Sequence, residues 1–518
     1  MIQKIKTYTH LWLQGFEILV EADSNNSIPS IEIIGLPDAA IKEAKERIRA
    51  TFRNLGISMP AKKFILNLAP SDLKKVGTRF DVPMAVALLL VIFDEGIVWS
   101  VNFEKSLFFG ELWLDGRVKP VTWLLPCVIS ALKQGYTHFF VPEDNLYELE
   151  YVPWIVLYPL KDFAQLVALF LEGNSLPEHV QNRSLDHIIE EQARTYEVDF
   201  AHIKGHLLPK RALALAAAGS HNVLLVWAPG SGKTFLVKAF QSILPPLSFE
   251  EILELSQIYS VVGKLDKHMP LITQRPFRQV HHTASKVSVV WWWSALTPWE
   301  VSLAHKWILF FDELTEFPRA VLDVLRQPLE DRQITISRVS GTIQYPANVL
   351  FVAAMNPCVC GYYKDREKPC TCSLLDVKRY QHKLSGPLLD RIDVILEIPR
   401  ESLETVLGDQ VQESSREIRE RVLIAWRRQQ ERFAGTQIYA NAHMTPKHLE
   451  QYVPLDESCK TFLMHATQHL SLSPRVIHRI VKLARTIADM ESKEHVDVPC
   501  LAEALQYRTK TLFVDNDL

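Results

Sequence analysis

The chain has 518 residues, 47% hydrophobic and 23% charged, and 57 Lys+Arg against 60 Asp+Glu leave a net charge of -3. This is ordinary globular composition with room for two or three domains, each burying its own core. It excludes a global basic field, so any contact with nucleic acid has to come from a local lining such as a channel.

Seven cysteines, four of them within 358–372, fit a reducing compartment rather than a disulfide framework. The start, MIQKIKTYTHLWLQG, lacks an apolar core followed by a small-residue cleavage site, so no export signal is expected. The longest apolar run, Val82 to Phe93, falls short of the roughly 18–20 residues of a membrane span and is followed by Asp94 and Glu95. A buried helix, no membrane association and a cytoplasmic location are the expectations.

Residues 1–172 alternate strand-like and helix-like patterns: Phe16–Ala22, Ser30–Ile34, a helix from about Pro37 to Leu55, then Phe64–Leu68. This predicts an α/β domain without catalytic punctuation. Residues 173–198 turn polar and suit a linker. A second α/β domain is expected over 199–400, with a helix at Arg211–Ala218, a buried strand at His221–Val226 and a helix at Lys233–Ile243. Ser248-x-x-Glu251 has capping-box spacing. Residues 401–518 read as helices, one begun by Ser473-Pro474 and running through Ala488.

The strand and helix around Lys233 frame WAPGSGKT (227–234). A phosphate loop needs backbone N–H groups converging on an anion at a helix N-terminus, which favours the small residues Gly230, Ser231 and Gly232 after Pro229. Lys233 then reaches the β- and γ-phosphates of ATP, and Thr234 offers its hydroxyl to Mg²⁺. About 75 residues on, Trp307–Leu314 is an apolar strand ending in adjacent carboxylates. It would bring Asp312 to the metal and leave Glu313 to polarise the attacking water. A third strand, Val349–Ala354, delivers Asn356, placed to sense the γ-phosphate.

Arg391, in LSGPLLDRID, and Arg475, at the Ser473-capped start, are candidates for a transition-state arginine from a neighbouring subunit and a lid sensor. The order of these elements is that of AAA+ motors. Cys358-x-Cys360 and Cys370-x-Cys372 either supply four thiolates to Zn²⁺ or form a reduced, metal-free loop; their pair spacing is tighter than usual. His281-His282-Thr283, after Arg275-Pro-Phe-Arg278, either lines a channel or simply packs in a loop.

Long stretches of the chain resemble the ComM/YifB family of bacterial magnesium-chelatase-like AAA+ proteins. They include IIGLPDAAIKEAKERIRA (33–50), HNVLLVWAPGSGKT (221–234), LFFDELTEFPRAVLDVLRQPLED (309–331), AAMNPCVCGYY (353–363), KLSGPLLDRID (383–393) and SLSPRVIHRIVKLARTIADME (471–491). The resemblance implies an N-terminal domain with the Lon-protease fold, a P-loop AAA+ α/β core and a C-terminal helical lid. It also implies a homo-hexameric ATPase acting on single-stranded or branched DNA, with a helicase or branch-migration role in natural transformation and recombination. The alternatives are a chelatase-like remodeller of a partner protein and a nucleotide-binding scaffold with weak turnover. A Lon-type protease pairs a nucleophilic serine with lysine. The matching segment VGTRFDVPMA (76–85) has no serine, so proteolysis is not expected.

Nine tryptophans, Trp12, Trp123, Trp154, Trp227, Trp291, Trp292, Trp293, Trp299 and Trp307, stand where the resembled family carries glycine. Glycine itself is scarce, 19 of 518 residues, roughly half the usual ~7%. Either the gene reads UGA as glycine, or these are true Gly→Trp divergences, or the motor is damaged.

Overall fold

The computed structural model describes residues 2–93, 102–180, 196, 198–228, 233–280, 300–306, 308–338, 341–365, 367–401, 404–405, 408, 412–470 and 472–508. The chain forms two compact units, residues 1–192 with 249–273, and residues 193–248 with 274–518.

In the first unit, β1 (Gln3–Leu11), β2 (Gln14–Asn25), β3 (Ser30–Ile34) and β4 (Lys63–Ala69) make a sheet ordered β1-β2-β4-β3, with β3 and β4 parallel. Alternation along β4 sends Phe64, Leu66 and Leu68 into the core while Asn67 faces away and binds Glu21. The helix Ala39–Asn54 joins β3 to β4. Asp38 caps it, accepting from the Ile41 N–H at 2.9 Å.

The apolar run at Val82 is the helix Asp81–Ile92, buried on every side from Asp81 to Leu90, as its lack of a polar face demands. Its one buried charge, Asp81, is held by the Arg47 guanidinium at 2.7 and 3.0 Å. The strand β5 (Ser106–Phe108) begins a second sheet. It is followed by the short pair β6 (Glu111–Leu112) and β7 (Val118–Lys119), then β8 (His138–Pro142), β9 (Val156–Leu160) and β10 (His179–Val180), in the sheet order β10-β9-β8-β5.

The helix Phe249–Val261 comes from the middle of the sequence yet packs in this unit against the helix Leu124–Lys133. Ser260 Oγ donates to the buried Glu148 carboxylate at 2.9 Å. Pattern alone places that segment inside 199–400; its contacts place it with the first unit.

The second unit is built on a five-stranded, wholly parallel sheet. Its strands are β11 (Val223–Trp227), β12 (Phe277–Val280), β13 (Ile308–Phe311), β16 (Leu350–Met355) and β17 (Val394–Ile398), in the order β12-β13-β16-β11-β17. Between β13 and β16 runs the antiparallel hairpin of β14 (Gln333–Arg338) and β15 (Gly341–Pro346). All five residues of β11 and all six of β16 are buried, the continuous apolar signature of strands covered on both faces.

The helices Leu207–Gly219, Ser415–Arg432 and Pro474–Met490 pack on one another in this unit. The last begins where its cap predicts, Ser473 accepting from the Val476 N–H at 3.4 Å. Gln429 Nε2 ties the 401–518 segment to the Ala218 carbonyl at 2.9 Å. Among the described residues no helix is long and apolar enough to cross a membrane.

Candidate functional site

The parallel sheet gives the second unit two chemically different ends. At the carboxyl end, each of three neighbouring strands delivers a sequence-predicted residue: Lys233 follows β11, Asp312 and Glu313 follow β13, and Asn356 follows β16, which lies between them. In open α/β sheets this is the end at which ligands bind.

Lys233 opens the helix Lys233–Phe240, and its ammonium donates to Asn356 Oδ1 at 2.6 Å. Burial pushes the lysine below its ordinary range, while the charges of Asp312 and Glu313 oppose that shift. A desolvated cation facing two carboxylates and an amide is suited to a triphosphate with its metal ion. Asp312 Oδ1 accepts from the Glu313 N–H at 2.9 Å. Glu313 lies at φ 52, in the left-handed region, and its side chain is exposed. Behind it Thr315 donates to the Tyr380 hydroxyl at 2.5 Å, and burial pushes that phenol up to about 12.

Pro229, Gly230, Ser231 and Gly232, the side chain of Thr234, and the run His281-His282-Thr283 lie outside the described residues. At the start of the loop, Trp227 is 1% exposed and its indole Nε1 meets no acceptor among the described residues.

Arg391 and Arg475 are elsewhere. Both line a cavity of about 310 Å³ with Asn222, Asp393, Arg479 and Lys482. Asn222 immediately precedes β11 and Asp393 immediately precedes β17, so this cavity lies at the amino end of the sheet. Arg475 stands with Arg391 at this amino end, across the sheet from Lys233. Arg391 is ion-paired with Glu330 and donates to the Pro387 carbonyl at 2.6 Å. Burial, then the charges of Arg475, Arg479 and Arg326, lower its affinity for the proton, which marks this end as strongly cationic.

Buried Asp393, His221 and Asn222 and half-buried Arg479, which motif reading passed over, hold this end together. Asp393, 2% exposed, accepts from Arg479 Nη1 at 2.5 Å and from the Asn222 N–H at 3.0 Å, with His221 Nδ1 at 3.7 Å. Burial alone would raise its carboxyl, but Arg479 and His221 hold it well below the usual carboxylate range. Arg479 stands one helical turn after Arg475, a spacing that could have flagged it.

The four cysteines do converge. Cys358 is buried and Cys360, Cys370 and Cys372 are half-buried, with all four sulfurs within 4.8 Å of one another.

Comparison with known proteins matches nearly every part of the chain. The family profile of magnesium chelatase, subunit ChlI, covers residues 199–406, that of subunit ChlI of Mg-chelatase residues 20–145, and that of the ChlI C-terminal region residues 412–508. The protein YifB of Salmonella typhimurium is 38% identical over 506 residues, spanning 97% of this chain and 96% of that protein. The competence protein ComM of Haemophilus influenzae is 38% identical over 503 residues, 95% and 94% of the two chains. The Lon protease of Mycolicibacterium smegmatis is 26% identical over 171 residues, 31% of this chain and 21% of that one. With the profiles in chain order and the likeness running end to end, the chain belongs to the magnesium-chelatase-like family that includes YifB and ComM.

Proposed function

We propose that the chain is an ATPase whose hydrolytic cycle drives a ring of identical subunits, a homo-hexamer, along DNA. The observation that carries the reading is the bond of Lys233 to Asn356 at 2.6 Å, with Asp312 and Glu313 at the same end of the sheet.

Backbone N–H groups of Gly230, Ser231 and Gly232, after Pro229, receive the phosphates, and Lys233 turns from Asn356 to the β- and γ-oxygens. Thr234 and Asp312 hold Mg²⁺, which when bound neutralises charge building on the phosphate oxygens. Glu313 orients and polarises the water, and Asn356 reports whether the γ-phosphate is present. Arg391 and Arg475, at the far end of the sheet from their own Lys233, act on the nucleotide of a neighbouring subunit.

The name of one relative, competence protein, directs the motor to DNA taken up by the cell, as a helicase or branch-migration factor on single-stranded or branched substrates. Absence of a global basic charge favours a second reading, a remodeller whose substrate is a protein. The deciding experiment is ATP turnover with and without single-stranded and branched DNA. A DNA motor is stimulated, and its stimulation weakens steeply with salt. Indifference to every DNA, at low salt as well, removes the DNA assignment and leaves the ATPase.

A further inference from the structure

We propose that Cys358, Cys360, Cys370 and Cys372 hold one structural zinc ion. Sulfur separations of 3.3 Å for Cys358–Cys360, 3.5 Å for Cys360–Cys370 and 3.7 Å for Cys358–Cys370 surround a space of ionic size. Zn–S bonds of about 2.3 Å at tetrahedral angles place sulfurs about 3.8 Å apart. Four sulfurs and no oxygen or imidazole donor select zinc over magnesium or calcium.

The backbone suits the tight Cys-x-Cys spacing. The Gly361 N–H donates to the Cys358 carbonyl at 3.0 Å, and Gly361 at φ +83 turns the chain away after the second thiol. On the other side, Cys372 is followed directly by Ser373, which caps the helix Leu374–Gln381. The far end of that helix returns Gln381 Nε2 to the Pro357 carbonyl at 3.0 Å. The ion therefore closes a loop that starts one residue beyond Pro357 and two beyond Asn356. Its effect on Asn356 rests on the ATPase reading; its existence does not.

The test is elemental analysis of the full chain purified without chelators. One zinc per chain is expected, along with loss of zinc in the C360S/C372S double variant. Should that variant fail to fold, titrating the wild-type thiols with a mercurial must release one zinc per chain to a chromogenic chelator. A metal-free chain whose four thiols all react freely overturns the proposal, and so does stoichiometric iron. ATP turnover measured on the same samples separates the two readings, since a zinc-loaded chain without turnover removes only the consequence for Asn356.

A second inference rests on different observations. We infer that Trp12, Trp123 and Trp154 are glycines in the protein as its cell makes it, encoded by UGA. Trp12, Trp123 and Trp154 have φ 62, 70 and 62, the left-handed region in which a bulky residue is an outlier and glycine is at ease. Trp113, Trp227 and Trp426 are not among the residues with positive φ.

Strained backbone persists only where its surroundings enforce it, yet Trp154 is 82% exposed. Trp123 is jammed against His10 with ring centroids 3.7 Å apart, inside the roughly 4.5–7 Å at which aromatic rings settle. The test reads the codons and the masses of tryptic peptides from the native protein. TGA codons with glycine masses are expected; TGG codons, or tryptophan masses at TGA, overturn the inference.

Discussion

Glu313 and Asn356 reach the surroundings of one lysine from two different strands, and their substitutions should fail differently. On the proposed cycle, Glu313→Gln would keep the shape of the site and lose the group assigned to polarise water. Nucleotide binding should survive while turnover falls by about 10²- to 10⁴-fold, as read by fluorescent-nucleotide titration beside a phosphate-release assay. Lys233→Ala should abolish binding and turnover together. At the other end, Arg479→Ala takes from the buried Asp393 its one ion-paired arginine and leaves His221, Lys482 and Arg508 as the nearby positive or ionisable groups. Removing one member of a buried pair costs roughly 3–5 kcal/mol, so thermal unfolding of the second unit should move down markedly. An unchanged transition would mean that water reaches Asp393.

Among elements, the helix Phe249–Val261 is secured to the first unit by a carboxylate in an unusual state. Burial raises Glu148 to about 7, against the hydrogen bonds from Ser260 and Asn145. The folded chain thus keeps a proton there that the unfolded chain loses near 4.5. The stabilisation is complete below about 4.5 and gone once the pH passes about 7, a change of roughly 3 kcal/mol. Glu148→Gln should remove that dependence, so that the variant gains on the wild type between pH 5 and pH 8 in thermal melts.

The sequence made some elements legible and hid others for physical reasons. The β11–loop–helix unit was readable because its chemistry is local: an apolar strand, small residues, then Lys233. The Ser473 cap and the apolar helix at Val82 were readable for the same reason. The placement of Phe249–Val261 was not, since its partners Glu148 and Leu124–Lys133 lie more than a hundred positions away and its own pattern is that of any amphipathic helix. Nor was the separation of Arg475 from Lys233, which depends on strand order. Once Asn222 and Asp393 are seen to stand where the parallel strands begin and Lys233 and Asn356 where they end, the arginines at the beginning end lie across the sheet from Lys233.

For the whole molecule, this separation makes a mixing experiment decisive. Arg391→Ala should lower turnover by about 10³-fold or more, and Lys233→Ala should be inactive. Mixed in one preparation, the two variants should recover a measurable fraction of wild-type turnover, because some interfaces then join an intact arginine end to an intact phosphate end. No recovery would remove the proposed role of Arg391 across a subunit interface.

The polarity of the sheet β12-β13-β16-β11-β17 bears on how copies can associate at all. In the proposed ring the face bearing Arg391 and Arg475 meets the face bearing Lys233 of the next subunit, a heterologous contact in which two subunits would satisfy only half of their surfaces. Growth has to continue until rotation closes the circle or else run on as a filament. In that ring, specific activity should rise with protein concentration and level off at closure, because each site is completed by the far end of a neighbour's parallel sheet.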